Sequence, residues 1–113
     1  MEMEIAEQHA GEITIVEVKG RIDSNTAKTL GERLTGLIKA GQTHLVVDLK
    51  HIVYITSAGF RTLLVAGRLA EETSGTLVLC SLSAEVQRLF DLGAFTDLFV
   101  IYQSREEVLN KLS

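Results

Sequence analysis

Leu45-Val46-Val47-Asp48-Leu49 is apolar at every position except Asp48. A run with so little polarity does not suit a strand with one wet face; it suits a central strand covered on both sides, as in sheets with crossover helices. The stretch that follows, Val53-Tyr54-Ile55-Thr56-Ser57-Ala58-Gly59-Phe60-Arg61, changes character. From there Phe60, Leu63, Leu64 and Gly67 mark a helix running from about Ala58 to Glu72. A buried strand feeding directly into a helix is the core of an α/β arrangement.

Upstream, Ala27, Leu30, Leu34, Leu37 and Ile38 recur at helical spacing and set one apolar stripe against a core. Asp23, Ser24 and Asn25 offer capping oxygens at the start of that helix, and Gly41 offers a stop at its end. Ile13, Ile15, Val16 and Val18 form a β-favouring run that Gly11-Glu12 introduces and Gly20 ends. Met3 and Ile5 suggest a first strand, joined to it by a tight turn around His9 to Gly11.

Downstream, Thr76 to Cys80 reads as another buried strand, and Val86, Leu89 and Phe90 as a short helix. Leu98 to Tyr102 reads as a last strand, and Val108, Leu109 and Leu112 as a closing helix. Ser104 and Glu107 have the S-x-x-E spacing of a capping box at that helix. The order is β-β-α-β-α-β-α-β-α. It predicts an α/β fold with a mixed, largely parallel sheet of about five strands and four helices. With no proline, repeat or linker-like stretch, residues 1–113 are expected to form one domain.

Composition narrows the function. The chain has 15 acidic and 11 basic residues spread along its length, for a net charge of -4. Nucleic-acid binding is not expected, because it needs a concentrated basic footprint. The lone Cys80, inside an apolar run, reads as a buried, inert thiol. Met1-Glu2-Met3-Glu4 lacks the basic start and apolar stretch of a signal peptide, and nothing approaches the ~18 consecutive apolar residues of a membrane span. A cytoplasmic location is expected, with no membrane partner.

Ser57 holds the most informative position. A serine between strand and helix is ordinarily an N-cap, its hydroxyl accepting from an unpaired backbone N–H. Helix N-termini also stabilise negative charge. A phosphoryl group on Ser57 would be tolerated there while adding nearly two negative charges to a rim of small, uncharged residues.

Asp48-Leu49, Tyr54-Ile55-Thr56-Ser57-Ala58-Gly59-Phe60 and Leu63-Leu64 together resemble the signature of the anti-sigma factor antagonists, the STAS domain family. Gly20-Arg21-Ile22-Asp23 is similar to the family's Gly-x-Leu-Asp element, and Val86 to Gly93 to its short third helix and following turn. The three elements are in register across essentially the whole chain. The resemblance implies a protein that binds an anti-sigma factor which is also a serine-protein kinase. It implies release when that kinase phosphorylates the serine of the turn, and restoration by a serine phosphatase. By position, Ser57 is the implied phosphoacceptor, with Thr56 a minor competing one. Asp23, Thr56, Ser57, Ala58, Gly59 and Phe60 form the implied partner-binding face. Many family members have Asp immediately before the acceptor serine, where this chain has Thr56, which removes a charge and adds a hydroxyl.

Enzyme readings fare poorly. Gly59 fills the last position of G-x-S-x-G, but Ile55 stands in the place of its first glycine. That fold needs a histidine after the serine, and His9, His44 and His51 all precede Ser57. No Cys or carboxylate cluster converges on a histidine, so no metal is expected, and solvated loop histidines are the plain reading of His44 and His51. Asp48 reads as a strand-end carboxylate bonded to loop N–H groups, or as a buried acid with a function. Neither G-x-x-x-x-G-K-[ST] nor G-x-G-x-x-G occurs, so no nucleotide or other cofactor is expected. The alternative function is a free-standing STAS scaffold or small-ligand sensor in a partner-switching complex outside sigma-factor control. Such a scaffold should form stable large assemblies in gel filtration.

Overall fold

The computed structural model describes residues 3–112. Its elements are β1 (Met3–Ala10), β2 (Ile13–Ile22), α1 (Thr26–Lys39), β3 (His44–Ile55), α2 (Ser57–Glu72), β4 (Thr76–Cys80), α3 (Ala84–Leu92), a short 3-10 turn (Thr96–Leu98), β5 (Ile101–Tyr102) and α4 (Arg105–Leu112). They make one five-stranded sheet in the order β1-β2-β3-β4-β5. β1 and β2 are an antiparallel hairpin, and every other neighbouring pair is parallel. This is the α/β arrangement with a mixed sheet that the alternation of patterns predicts.

Helices cover both faces, which is why β3 tolerates so apolar a sequence. Leu45, Val47 and Leu49 turn to one side, into a cluster with Leu30 and Leu34 of α1, Leu63 and Ala66 of α2, and Val86 and Phe90 of α3. Val46 turns to the other, with Ile13, Ile15, Val78, Cys80 and Val108 of α4. Cys80 is buried there, and desolvation pushes its thiol pKa up, as suits an inert thiol.

Several expected boundaries move, each for a physical reason. β2 does not end at Gly20. That residue takes a positive φ of 107°, available to glycine at little cost, beside a shift in register, and the strand runs on to Ile22. β3 is longer than Leu45–Leu49, reaching Ile55, so Asp48 lies inside a strand and not at its end. His44 and His51 are likewise strand residues; His44 Nδ1 lies 3.0 Å from Thr76 Oγ1. The last strand shrinks from Leu98–Tyr102 to Ile101–Tyr102. Phe95 stacks on Phe60 at 4.3 Å and Phe99 meets Phe90 edge-on at 5.6 Å, so Leu98 ends a 3-10 turn instead of starting a strand, while the Val100 carbonyl still accepts from the Leu79 N–H of β4 at 3.0 Å. At α4, Ser104 Oγ accepts from the Glu107 N–H, while Glu107 Oε1 accepts from Gln103 and not from Ser104, so the capping box forms one residue out of step.

Candidate functional site

Two chain reversals meet at the C-terminal ends of β2 and β3. Ile22 and Ile55 are register partners, and the Thr56 N–H donates to the Ile22 carbonyl at 2.9 Å, carrying the pairing one step past the strand. This bond sets the loop Asp23-Ser24-Asn25 beside the junction Thr56-Ser57.

On the first loop, Asp23 is the organising residue. Its Oδ1 accepts from the N–H groups of Asn25 at 2.9 Å and Thr26 at 3.0 Å. The Thr26 hydroxyl in turn accepts from the Asp23 N–H and donates to the Arg21 carbonyl, both at 2.8 Å. Asn25 stands at the N-cap of α1 without a side-chain bond, so Asp23 does the capping that its neighbours also offered. These N–H groups, Thr26 foremost, hold the Asp23 carboxyl below its ordinary pKa.

At the junction, Ser57 is the first helical residue of α2 and Thr56 the N-cap, and neither side chain caps the helix. The expectation that the Ser57 hydroxyl caps α2 is thus corrected. Thr56 Oγ1 donates instead to the Ile22 carbonyl at 3.4 Å. Ser57 is exposed, with Thr56 and Ala58 half-buried beside it. The leading N–H groups, which have no side-chain acceptor, give this helix start a local positive potential.

Gly59 and Phe60 lie beneath the rim. A Cβ on Gly59 would come within 2.7 Å of both Ile22 Cγ2 and Ile55 Cγ1, so only glycine lets the first turn of α2 sit directly on the two strand ends. Phe60 is 5% exposed, edge-on to Phe90 at 4.7 Å and stacked on Phe95. Of the residues expected on the contact face, the structure brings Asp23, Thr56, Ser57 and Ala58 to one surface. It assigns Gly59 and Phe60 to the packing that aims Ser57 outward.

The STAS domain family model matches residues 4–108. The chain belongs to the STAS domain family. Among relatives of this STAS domain, BtrV of Bordetella bronchiseptica is 33% identical over 89 residues, covering 79% of this chain and 77% of BtrV. The anti-sigma-B factor antagonist of Bacillus subtilis is 31% identical over 91 residues, covering 80% and 83%. Among solved structures, the anti-sigma factor antagonist SpoIIAA in its unphosphorylated form superposes with a TM-score of 0.82 at 15% identity, over 96% of each chain. The phosphorylated form of the Bacillus SpoIIAA superposes with a TM-score of 0.75 at 15% identity, over 97% of this chain and 100% of that one. At such identities the superpositions establish the shared fold.

One constellation in this STAS domain has no signal in the sequence. Arg105, at the start of α4, donates to Asp48 Oδ2 through Nε at 3.1 Å and Nη2 at 2.9 Å, to Glu17 at 3.0 Å and to Gln8 at 3.0 Å. Asp48, 3% exposed, also accepts from the Lys50 N–H at 2.9 Å. An acid in an apolar strand signals that a partner exists, but no spacing rule points to a residue so distant in the chain. Among the described residues no group of His, Cys, Asp and Glu is arranged to hold a metal, and no helix is long and apolar enough to cross a membrane.

Proposed function

We propose that this chain, as one STAS domain, is an anti-sigma factor antagonist switched by phosphorylation of Ser57. Unphosphorylated, it binds a cytoplasmic anti-sigma factor that is also a serine-protein kinase, through the rim formed by Asp23, Thr56, Ser57 and Ala58. The observation that carries this reading is an exposed serine at the first residue of a helix whose leading N–H groups have no side-chain cap. Kinship to antagonists by name, and a structural neighbour that occurs in unphosphorylated and phosphorylated forms, support it.

The chemistry belongs to the partners, and this chain is a substrate and binder rather than an enzyme. The kinase transfers the γ-phosphoryl group of ATP to Ser57 Oγ; the hydroxyl proton leaves to a base of the kinase, and ADP is released. A phosphatase returns the hydroxyl by water attack, releasing inorganic phosphate. The phosphoryl group brings close to two negative charges and three acceptor oxygens. The uncapped turn of α2 stabilises that charge, so the fold persists. A partner surface packed on the bare rim is repelled and would have to desolvate the new charge, so the complex dissociates.

Intact mass with site mapping, after incubation with ATP and extract from the source cell, tests this directly. The expected result is a gain of one phosphate on Ser57, absent in Ser57→Ala. Phosphate elsewhere, or none, overturns the switch. Ser57→Ala should retain the captured kinase and Ser57→Asp should lose it, and equal affinity for the two variants would contradict the mechanism.

A further inference from the structure

β2 and β3 run well past the end of β4. β4 stops at Cys80, opposite Asp48, and α4 packs over Ile13, Ile15, Val46, Val78 and Cys80. Past that point β2 and β3 continue as a parallel ribbon, pairing Lys19 with His51 and Arg21 with Tyr54, with β1 alongside β2 as far as Gly20 and Glu4 opposite Lys19. Ile22, Ile52 and Ile55 turn into the core under the helices. The side chains between them are exposed, with Lys50 and His51 bordering a cleft that Arg105 and Glu106 at the start of α4 also line.

Cations gather along this ribbon, bordered by Glu4, Glu17 and Glu106, in a chain whose net charge is -4. Lys19, Arg21, Lys50 and His51 are all exposed. Among the described residues neither Arg21 nor Lys50 has an ion-pair partner. Lys19 reaches Glu17 only at 3.9 Å, and Glu17 is already held by Arg105 at 3.0 Å. Between the charges lie Val53, 61% exposed, and Tyr54, 40% exposed. The Arg21 guanidinium carbon sits 4.9 Å from the centre of the Tyr54 ring, which holds the guanidinium in place over an aromatic face. A group fixed before binding loses little freedom on binding.

We propose that this ribbon docks an acidic segment of a protein partner, with Lys19, Arg21 and Lys50 meeting its carboxylates and Val53 and Tyr54 receiving an apolar or aromatic residue. Opposite charge selects and steers such a segment, and the exposed apolar pair gives it an anchor. A nucleic acid fits less well, since three cations bounded by Glu4 and Glu17 make a short footprint on an acidic protein. Through Arg21 and Tyr54 the ribbon is continuous with the Asp23–Ser57 rim. Identifying the partner as the serine kinase rests on the function proposed above; the docking chemistry does not.

The test is a titration of the isotope-labelled full chain with the acidic peptide EDEFEDE, followed by NMR. Amide shifts confined to Lys19–Arg21 and Lys50–Tyr54, weakening as salt rises, are expected. The triple variant Lys19→Glu, Arg21→Glu, Lys50→Glu should weaken binding by at least about tenfold, and Lys50→Gln alone by less. An unchanged melting temperature in both variants shows that surface charge, not folding, is responsible. No shifts at saturating peptide, shifts centred on α1 and α2, or equal binding by the triple variant overturn the proposal. Tighter binding of a DNA duplex to the same residues also overturns it. In source extract, slower Ser57 phosphorylation of the triple variant identifies the kinase as the partner, and an unchanged rate rejects that identification. If the parent chain is never phosphorylated on Ser57, the switch reading fails while the peptide result stands.

Discussion

The two faces of the sheet are built on different physics. Under α1, α2 and α3 lies an almost purely apolar cluster of aliphatic side chains with Phe60 and Phe90 buried among them. Under α4 lies a smaller apolar patch, and the helix is fastened at its start by one guanidinium bonded to three strands. The rim formed by Asp23, Thr56, Ser57 and Ala58 sits on the first face, where a shift in packing is costly. Interior side chains pack at the density of organic crystals, and this is what keeps Ser57 pointing outward. The second face carries a charge that works only while its partner is present.

Four experiments break or sharpen that contrast. Phe90→Ala removes a fully buried ring that touches Phe60 and Phe99, and should cost about 3–5 kcal/mol in urea denaturation. A loss under about 1 kcal/mol would show that the cluster is loosely packed. Arg105→Ala leaves the buried Asp48 without its cation. Breaking a fully buried pair costs about 3–5 kcal/mol, but Arg105 is partly exposed, so about 2 kcal/mol is expected. The double change Arg105→Met, Asp48→Leu should recover most of that loss, because an apolar pair needs no counter-charge. Failure to recover would mean that the ionic contacts themselves specify the α4 position.

Gly59→Ala gains about 1 kcal/mol in helix propensity and loses about 1–3 kcal/mol to overpacking against Ile22 and Ile55. A net loss of about 1 kcal/mol follows, with altered amide shifts at Thr56 and Ser57. A gain in stability would show that the first turn of α2 is free to move. The smallest effect is in pH. Asp23 has a lowered folded-state pKa, so its stabilisation is complete above the ordinary value of about 3.9 and is lost as pH falls through the lower folded value. The parent chain and Asp23→Asn should therefore differ in denaturation midpoint at neutral pH and converge in acid. A difference that persists in acid would assign the role of Asp23 to something other than its charge.

Most of the architecture is legible because periodicity and burial go together. The stripe from Ala27 to Ile38 and the apolar run from Leu45 to Leu49 each have one way to satisfy their pattern, and both elements occur. Misreadings fall where tertiary contacts outvote local signals. Gly20 reads as a strand end but makes an irregularity inside β2, since Ile22 gains burial by continuing the pairing. Leu98 reads as a strand residue, yet it ends a 3-10 turn beside the packed rings of Phe95 and Phe99. At the site, the adjacency of Asp23 and Ser57 was visible through resemblance to a family. The burial of Gly59 and Phe60 was not, because a first-turn residue can face partner or core and only the strand ends decide. The Arg105 contacts and the Arg21–Tyr54 stack had no local signal at all.

Strand order in the sheet repeats strand order in the chain, and this governs how fast the chain can fold. Every strand pairs with its predecessor, so the sheet can grow outward from β2 and β3 by closing the hairpin and one helical crossover after another. α4 is the exception: Val108 packs with Ile13 and Ile15, and Arg105 reaches Gln8 across 97 positions and Glu17 across 88. Contacts of that span close the longest loops and are expected to form after the rate-limiting step. The clamp would then act as a latch on the way out: losing it speeds unfolding and leaves the folding rate almost unchanged.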